Sequence, residues 1–438
     1  MQQIATLRRT DVFQPRADGA GVPDVGVSAH EKRSDITIEV VGGERLPTLV
    51  EDWRDLVARA DVPNVFMDPR VLAAAAAQAH VTVLLAWHMQ RGTRVLVGIW
   101  GFSAGQPRRS ALPLTVLRAP AAAHAYLASP VIDRDHLDDT LEGMLDVVSQ
   151  ATDLPKLMTL DAMRSEGETF SALLRVVARR GARVCAFGSV QRPILVSKLD
   201  GDAYLQKAFS SSSRKKLRQY RRRLGEKGRL EMHILRTSDD VRRAFEDFLA
   251  LEAAGWKGRR ASAILSSGAD AALARGVIAA LAETGDAVIH TLELNGRPIS
   301  MQIVLYAGNA AFTWKTAYDE TLAELSPGTL LFEDYTKAFL ADPAIATVDS
   351  CAHDDSGYMG AWMEREALAD IWLDARRGGS ASFEVAVTVE KVYRTLREKL
   401  KNVYLHSRAL QRLRDAIAAT RQFAGKRGAN PAAVTRKA

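Results

Sequence analysis

The sequence predicts a mixed α/β fold: two related halves, each a sheet of antiparallel and parallel strands flanked by helices, followed by one long C-terminal helix. Three patterns carry that prediction. Residues 288–306 hold two alternating apolar runs separated by Asn295-Gly296-Arg297-Pro298, and a third run ends in Phe312-Thr313-Trp314-Lys315-Thr316-Ala317-Tyr318-Asp319, which together read as an antiparallel meander. A loop, a helical run over 330–340 and a further strand over 346–351 follow it. Residues 383–423 repeat apolar positions at helical spacing among Lys and Arg, the mark of a long amphipathic helix.

From the start of the chain, residues 1–35 are rich in Gly, Pro, Asp and Arg without periodicity and are expected to be disordered. The first half, 36–190, contains a strand over 35–41, helical spacing of Trp53, Leu56 and Val57, and a hairpin of 81–87 with 94–102 around Gln90-Arg91-Gly92. Amphipathic helices over 137–148 and 171–180 flank its strand at 157–160. The second half, 191–378, holds the meander. Its densest charge lies in 214–229, where Leu217, Tyr220 and Leu224 share one helical stripe and Arg214, Arg218 and Arg221 flank it. A helix over 241–254 then runs into Gly255-Trp256-Lys257-Gly258. That element reads either as a loop lining an acceptor pocket, with the Trp256 ring as a flat apolar face, or as a helix C-cap whose tryptophan fills the core. The C-terminal helix occupies 379–424, with Val389, Tyr393, Leu396, Leu400, Val403 and Leu410 as its stripe. It either packs across the second half or rests on an anionic membrane or a partner helix. Residues 425–438 are expected to be disordered.

Composition excludes several function classes. At 438 residues, 47% hydrophobic and 25% charged, the chain has ordinary globular usage and room for two domains. Two cysteines, Cys185 and Cys351, exclude a disulfide framework and a cysteine-rich zinc module and point to a reducing compartment. The nine histidines show no metal-ligand spacing, so no metal is expected. The Ser210–Ser213 run lacks a nucleophile elbow, and no Gly-x-x-x-x-Gly-Lys occurs. Neither a signal-peptide core nor a run of about 20 apolar residues is present. The expected location is therefore the cytoplasm, with the inner face of the membrane as a peripheral alternative. A net charge of +7 favours acidic partners, but no nucleic-acid motif accompanies the basic run, so nucleic acid is not expected.

Chemistry concentrates in Ser326-Pro327-Gly328-Thr329-Leu330-Leu331. Ser326 suits a helix N-cap, Pro327 suits the first helical position, and Gly328 lets a ligand approach the backbone. Free N–H groups at such a helix start receive phosphate. The order meander, loop, helix, strand resembles the core of the GNAT acyltransferases, in which this loop and helix hold the coenzyme A pyrophosphate. Further segments sharpen the resemblance: Asp202-Ala203-Tyr204-Leu205, Ser213-Arg214-Lys215-Lys216-Leu217-Arg218, the Gly255 to Gly258 element, Tyr318-Asp319 with the Ser-Pro-Gly block, and 349–358. In that order, over most of 45–375, they are similar to the cellulose-biosynthesis acetyltransferase (CelD/BcsL-like) family, related to the Fem-type peptidyltransferases.

The resemblance implies tandem GNAT-like halves, one active and one degenerate. It also implies acetyl-CoA or another acyl-CoA as cosubstrate, held by Tyr318, Ser326, Pro327, Gly328, Thr329 and Leu330. The acceptor it implies is an amine or hydroxyl of a cell-envelope or exopolysaccharide precursor. A Fem-type aminoacyl or peptidyl transferase, and a non-catalytic scaffold in polysaccharide synthesis, are the alternatives.

Acyl transfer from a thioester needs a base for the acceptor, donors for the oxyanion and an acid for the departing sulfur. Many GNAT enzymes place a tyrosine on the helix after the last core strand as the acid, which implies Tyr358. His353 or Asp349 at the end of that strand is the expected base, with Glu252 and Glu293 in reserve; His353 equally reads as a loop-capping residue. Arg214, Arg218, Trp256, Lys257, Lys315 and Asp319 are the substrate-binding candidates. The two arginines either help floor the space between the halves, attract an anionic substrate, or belong to a solvated structural helix. The chain also departs from the family. Met359 follows Tyr358 where relatives often have Lys, and Ala352-His353-Asp354-Asp355 replaces a basic loop, so either substrate recognition or activity itself has changed.

Overall fold

The computed structural model describes residues 35–402 apart from Arg109 and 354–356. The expectations for 1–34 and 425–438, and the C-terminal helix beyond 402, lie outside the described residues. In the first half the strands are β1 (Ile36–Val41), β2 (Val81–Gln90), β3 (Thr93–Gly105), β4 (Val116–Ala119), β5 (Val131–Ile132) and β6 (Leu157–Arg164). They are followed by β7 (Val184–Leu195), β8 (Leu230–Leu235), β9 (Ala287–Leu294), β10 (Arg297–Ala307), β11 (Ala310–Tyr318), β12 (Thr347–Asp349) and β13 (Glu364–Asp374).

Each half repeats one plan. The runs β1-β2-β3-β4 and β8-β9-β10-β11 are antiparallel. A helix and a strand follow each run, and the strand pairs in parallel with the fourth member: β6 with β4, and β12 with β11. The meander predicted from sequence is therefore present, with its first turn made by Asn295 and Gly296 at φ 54° and 73°. Two left-handed residues in a two-residue turn match the twist of the strands they join.

The two sheets expected from sequence are joined into one, in the order β1-β2-β3-β4-β6-β13-β7-β12-β11-β10-β9-β8, with β5 beside β3. The cause is the length of β7. Its residues 184–194 pair with β13, and Ile194 and Leu195 pair with β12. β13 follows all other strands in sequence yet lies between β6 and β7. Strand pairing thus crosses the boundary drawn at residue 190.

Side chains alternate across the second half's strands and feed two cores. Phe312 joins a large cluster with Phe245, Phe248 and Ile278 that continues into the first half through Trp53, Phe66 and Trp100. Ala311 joins the opposite cluster with Leu217, Phe332, Tyr335 and Trp362. Full burial of each large side chain contributes about 1.5–3 kcal/mol. The halves also meet through helices Pro69–Ala76 and Gly268–Ala282, where a Cβ on Gly276 would lie 3.3 Å from Ala74. Arg70 bridges Asp68 at 2.6 Å and Asp286 at 2.8 Å across that contact.

Candidate active site

β11 and β12 pair only over Ala310–Phe312 and Thr347–Asp349, after which β11 runs on to Tyr318 without a parallel partner. The two strands therefore splay. Just beyond the divergence, the step from Phe312 to Lys315 on β11 faces the shorter step from Leu305 to Ile303 on β10, a β-bulge. A bulge re-aims side chains. Here it lets the consecutive residues Trp314 and Lys315 reach one loop of the first half: Trp314 Nε1 donates to the His124 carbonyl at 2.8 Å, and Lys315 Nζ lies 3.1 Å from His124 Nδ1.

On one side of the splay is the loop singled out from sequence. A 3-10 turn, Glu320–Leu325, leads into helix Pro327–Ala341. Pro327 takes the first helical position, but Ser326 is not a side-chain cap. It is left-handed at φ 47°, and its carbonyl accepts the N–H groups of Thr329 and Leu330 at 3.0 and 3.2 Å. Those two amides are therefore committed, and the Leu330 side chain is buried in the core. The Gly328 N–H finds no acceptor among the described residues and sits at the positive end of the helix. A Cβ on Gly328 would meet Tyr318 at 3.7 Å and Tyr358 at 3.8 Å, so two aromatic rings cover the Cα face of this buried glycine. An unpaired amide at a helix start next to splayed strands can receive an anionic group such as a phosphate.

Tyr358 lies in a 3-10 turn, Tyr358–Ala361, rather than on a helix. Its hydroxyl donates to Thr316 Oγ1 at 3.1 Å, crossing from the β12 side of the splay to β11. Burial pushes this phenol up, which keeps it protonated. Asp319 caps the 3-10 turn, accepting from the Thr321 N–H at 2.9 Å. Beside Tyr318 and Asp319 opens a cleft of about 820 Å³, also lined by Gly255, Arg259 and Arg297.

On the other side lies a cluster that joins both halves. Burial first, then the neighbouring Lys257, pulls the Lys315 ammonium down to about 8. Its Nζ lies 5.4 Å from the Tyr126 ring. The His124 imidazole is shifted down by burial and then by Lys315; its Nε2 lies 3.2 Å from Asp270 Oδ2, off hydrogen-bond alignment. Lys257 donates to Glu252 Oε1 and to the Thr316 carbonyl, both at 2.9 Å. His124, Tyr126 and Asp270 escaped the sequence reading. The available signal was a lone His and Tyr in the Ala-rich stretch Ala121-Ala122-Ala123-His124-Ala125-Tyr126, too weak to place them opposite Lys315.

Several expected residues lie elsewhere. Asp349 is not placed as a base: it is buried in an ion pair with Arg192 at 3.2 Å and accepts the Cys351 N–H at 2.6 Å, because a charge this deep needs a partner. His353 packs edge-on against Tyr126 at 5.5 Å and lines a cavity of about 130 Å³ with Arg192 and Phe187. Trp256 does not fill the core; it is exposed on the short helix Trp256–Arg259, with its N–H on Glu320. Glu293 sits on β9 beside His233, 4.0 Å away. Arg214 and Arg218 do not floor the space between the halves. Their helix, Ser211–Gly225, packs on the 3-10 turn and on Pro327–Ala341, held by buried Leu217 and Leu224 and by Arg221 paired with Asp334 at 2.7 Å.

Known proteins resemble this chain in part of its sequence and in its fold. Residues 211–358 match the family described as an acetyltransferase (GNAT) domain. The fold is similar to the crystal structure of FemX, at 10% identity and a TM-score of 0.50, over 74% of this chain and 95% of that one. A conserved protein of unknown function from Bacteroides thetaiotaomicron VPI-5482 aligns at 10% identity and a TM-score of 0.47, over 77% of this chain and 99% of that one. The C-terminal domain of a putative lysylphosphatidylglycerol synthetase from Agrobacterium fabrum aligns at 12% and 0.46, over 79% and 96%. No curated protein matches the chain. The second half thus carries a GNAT-type acetyltransferase domain, and the protein is an acyltransferase.

Proposed function

We propose that this acyltransferase uses acetyl-CoA, or a related acyl-CoA, to acylate an amine or hydroxyl of a saccharide precursor of the cell envelope or of a cellulose-type exopolysaccharide. The observation that carries the acyl-CoA part is the unpaired Gly328 amide beside the β11–β12 splay. The saccharide part rests on the resemblance of the motif order between Asp202 and Tyr358.

In this reading the cosubstrate's pyrophosphate sits at the Gly328 amide and its thioester lies along the splayed segment of β11. Lys315, with its pKa near 8, takes the acceptor's proton as a neutral amine, and His124 orients it. The acceptor's nucleophilic atom bonds to the thioester carbon and the carbon–sulfur bond breaks. The departing sulfur receives a hydrogen bond from the Tyr358 hydroxyl. Lys315 takes the role that Asp349, neutralised by Arg192, is not free to fill.

Thiol release from acetyl-CoA, measured against amino sugars, nucleotide-linked sugars and peptide amines, tests the acceptor class. Release dependent on a sugar acceptor is expected. Release with peptide amines and none with sugars would overturn the saccharide assignment.

A further inference from the structure

The C-terminal helix, 381–402, has two opposed faces. Phe383, Ala386, Val387 and Glu390 are buried against β7 and β13, in a cluster with Cys185, Phe187 and Trp372. Arg394 extends this docked face, with its guanidinium 4.6 Å from the Phe187 ring and Nε on Glu390 at 2.7 Å. At about 3.6 residues per turn, Val385, Val389, Val392, Leu396 and Leu400 fall on the opposite side. They are 44–70% exposed. A helix docked by one face should present a polar one outward; this one presents a second apolar stripe. No helix among the described residues is long and apolar enough to cross a membrane by itself.

Charge identifies what covers the stripe. Residues 381–438 carry 13 of the chain's 59 Lys and Arg but 4 of its 52 Asp and Glu, a net of +9 against +7 for the whole chain. The first 380 residues are therefore net acidic; of the C-terminal excess, the helix 381–402 that bears the stripe carries +2 (five Lys and Arg, three Asp and Glu) and the sequence that continues it, 403–438, carries +7. A second copy would bring the same positive charge against itself. Nucleic acid would satisfy the charge and leave the valines and leucines in water. Beside the helix, a groove of about 370 Å³ lined by Leu174, Val177, Phe383 and Val387, with Lys391 at its rim, has the same apolar and basic character.

We propose that the outward stripe of the C-terminal helix docks the protein on an anionic lipid bilayer, with Val389, Val392 and Leu396 at the acyl boundary and Lys399, beside them on the helix, among the headgroups. Apolar burial and attraction of basic residues to anionic lipid act together in such contacts. The proposal is independent of the acyl-CoA site.

The test is flotation of the full-length protein with vesicles of phosphatidylcholine alone and of phosphatidylcholine with an equal part of phosphatidylglycerol. Binding to the anionic vesicles alone is expected, weakening as salt rises. The variant Val392→Ser with Leu396→Ser alters exposed positions only and should weaken binding by roughly tenfold or more, with unchanged thermal unfolding. Lys399→Glu should weaken it likewise, by a smaller factor. Absence of wild-type binding, or binding that ignores the serine variant, overturns the proposal. Self-association, or tRNA binding, that the serine variant abolishes while vesicles stay unbound would assign the stripe to a second copy or to nucleic acid instead.

Discussion

The two halves place a helix after the same fourth strand, yet the starts of those helices are electrostatic opposites. In the first half, helix Leu137–Gln150 has Asp138 and Asp139 in its first turn, and Asp138 is paired with Arg175 and Arg179 at 2.6 and 2.7 Å. In the second, helix Pro327–Ala341 has no acid in its first turn, and the Gly328 amide has no acceptor among the described residues. Carboxylates at a helix start already satisfy the dipole that an anion would otherwise use. On the proposed reading one topology yields one site and one scaffold, and the difference lies in a few residues at equivalent positions. The scaffold half still reaches the site, because its 120–128 loop brings His124 to Lys315.

The sharpest way to break this division is to disable the residue at the contact. Lys315→Met should lower kcat/KM by roughly 10²–10⁴-fold while leaving acetyl-CoA affinity intact. On the proposed mechanism the active form is the neutral amine. Its pKa is lowered to about 8, so kcat should rise with pH through that value. Lys257→Ala removes a like charge, which favours the protonated amine and should move this limb to higher pH. A limb that stays in place would show that Lys315 is not the titrating group.

Asp349→Asn separates structure from catalysis. It leaves the Arg192 charge buried and should cost about 3–5 kcal/mol in denaturant unfolding. Lost activity with unchanged stability would restore Asp349 as the base. Tyr358→Phe should lower kcat by roughly tenfold, below the usual range for acid catalysis because a thiolate leaves readily. The smallest effect belongs to Arg214→Glu with Arg218→Glu, a few-fold rise in KM for the anionic cosubstrate that fades with salt. Unchanged kinetics at low salt would leave these two arginines only a structural place on their helix.

Much of the second half was legible because its signals are local. The Asn295-Gly296 turn, the period-two runs and the Ser-Pro-Gly helix start each speak within a few residues. β13 was illegible for the opposite reason: its partners β6 and β7 lie some 170 or more residues earlier, and nothing in 364–374 names them. The site divided in the same way. Tyr318, Gly328 and Tyr358 lie together, whereas Asp349 looked catalytic because its buried partner Arg192 is distant in sequence. Lys315 gained its meaning only from a bulge and from a histidine 191 residues away.

Titration calorimetry with acetyl-CoA, on the wild type and on Gly328→Glu, tests the asymmetry between the halves most directly. One molecule bound per chain, with binding abolished by a carboxylate at position 328, is the predicted result. Two molecules per chain, or binding that survives the substitution in a folded protein, would contradict it.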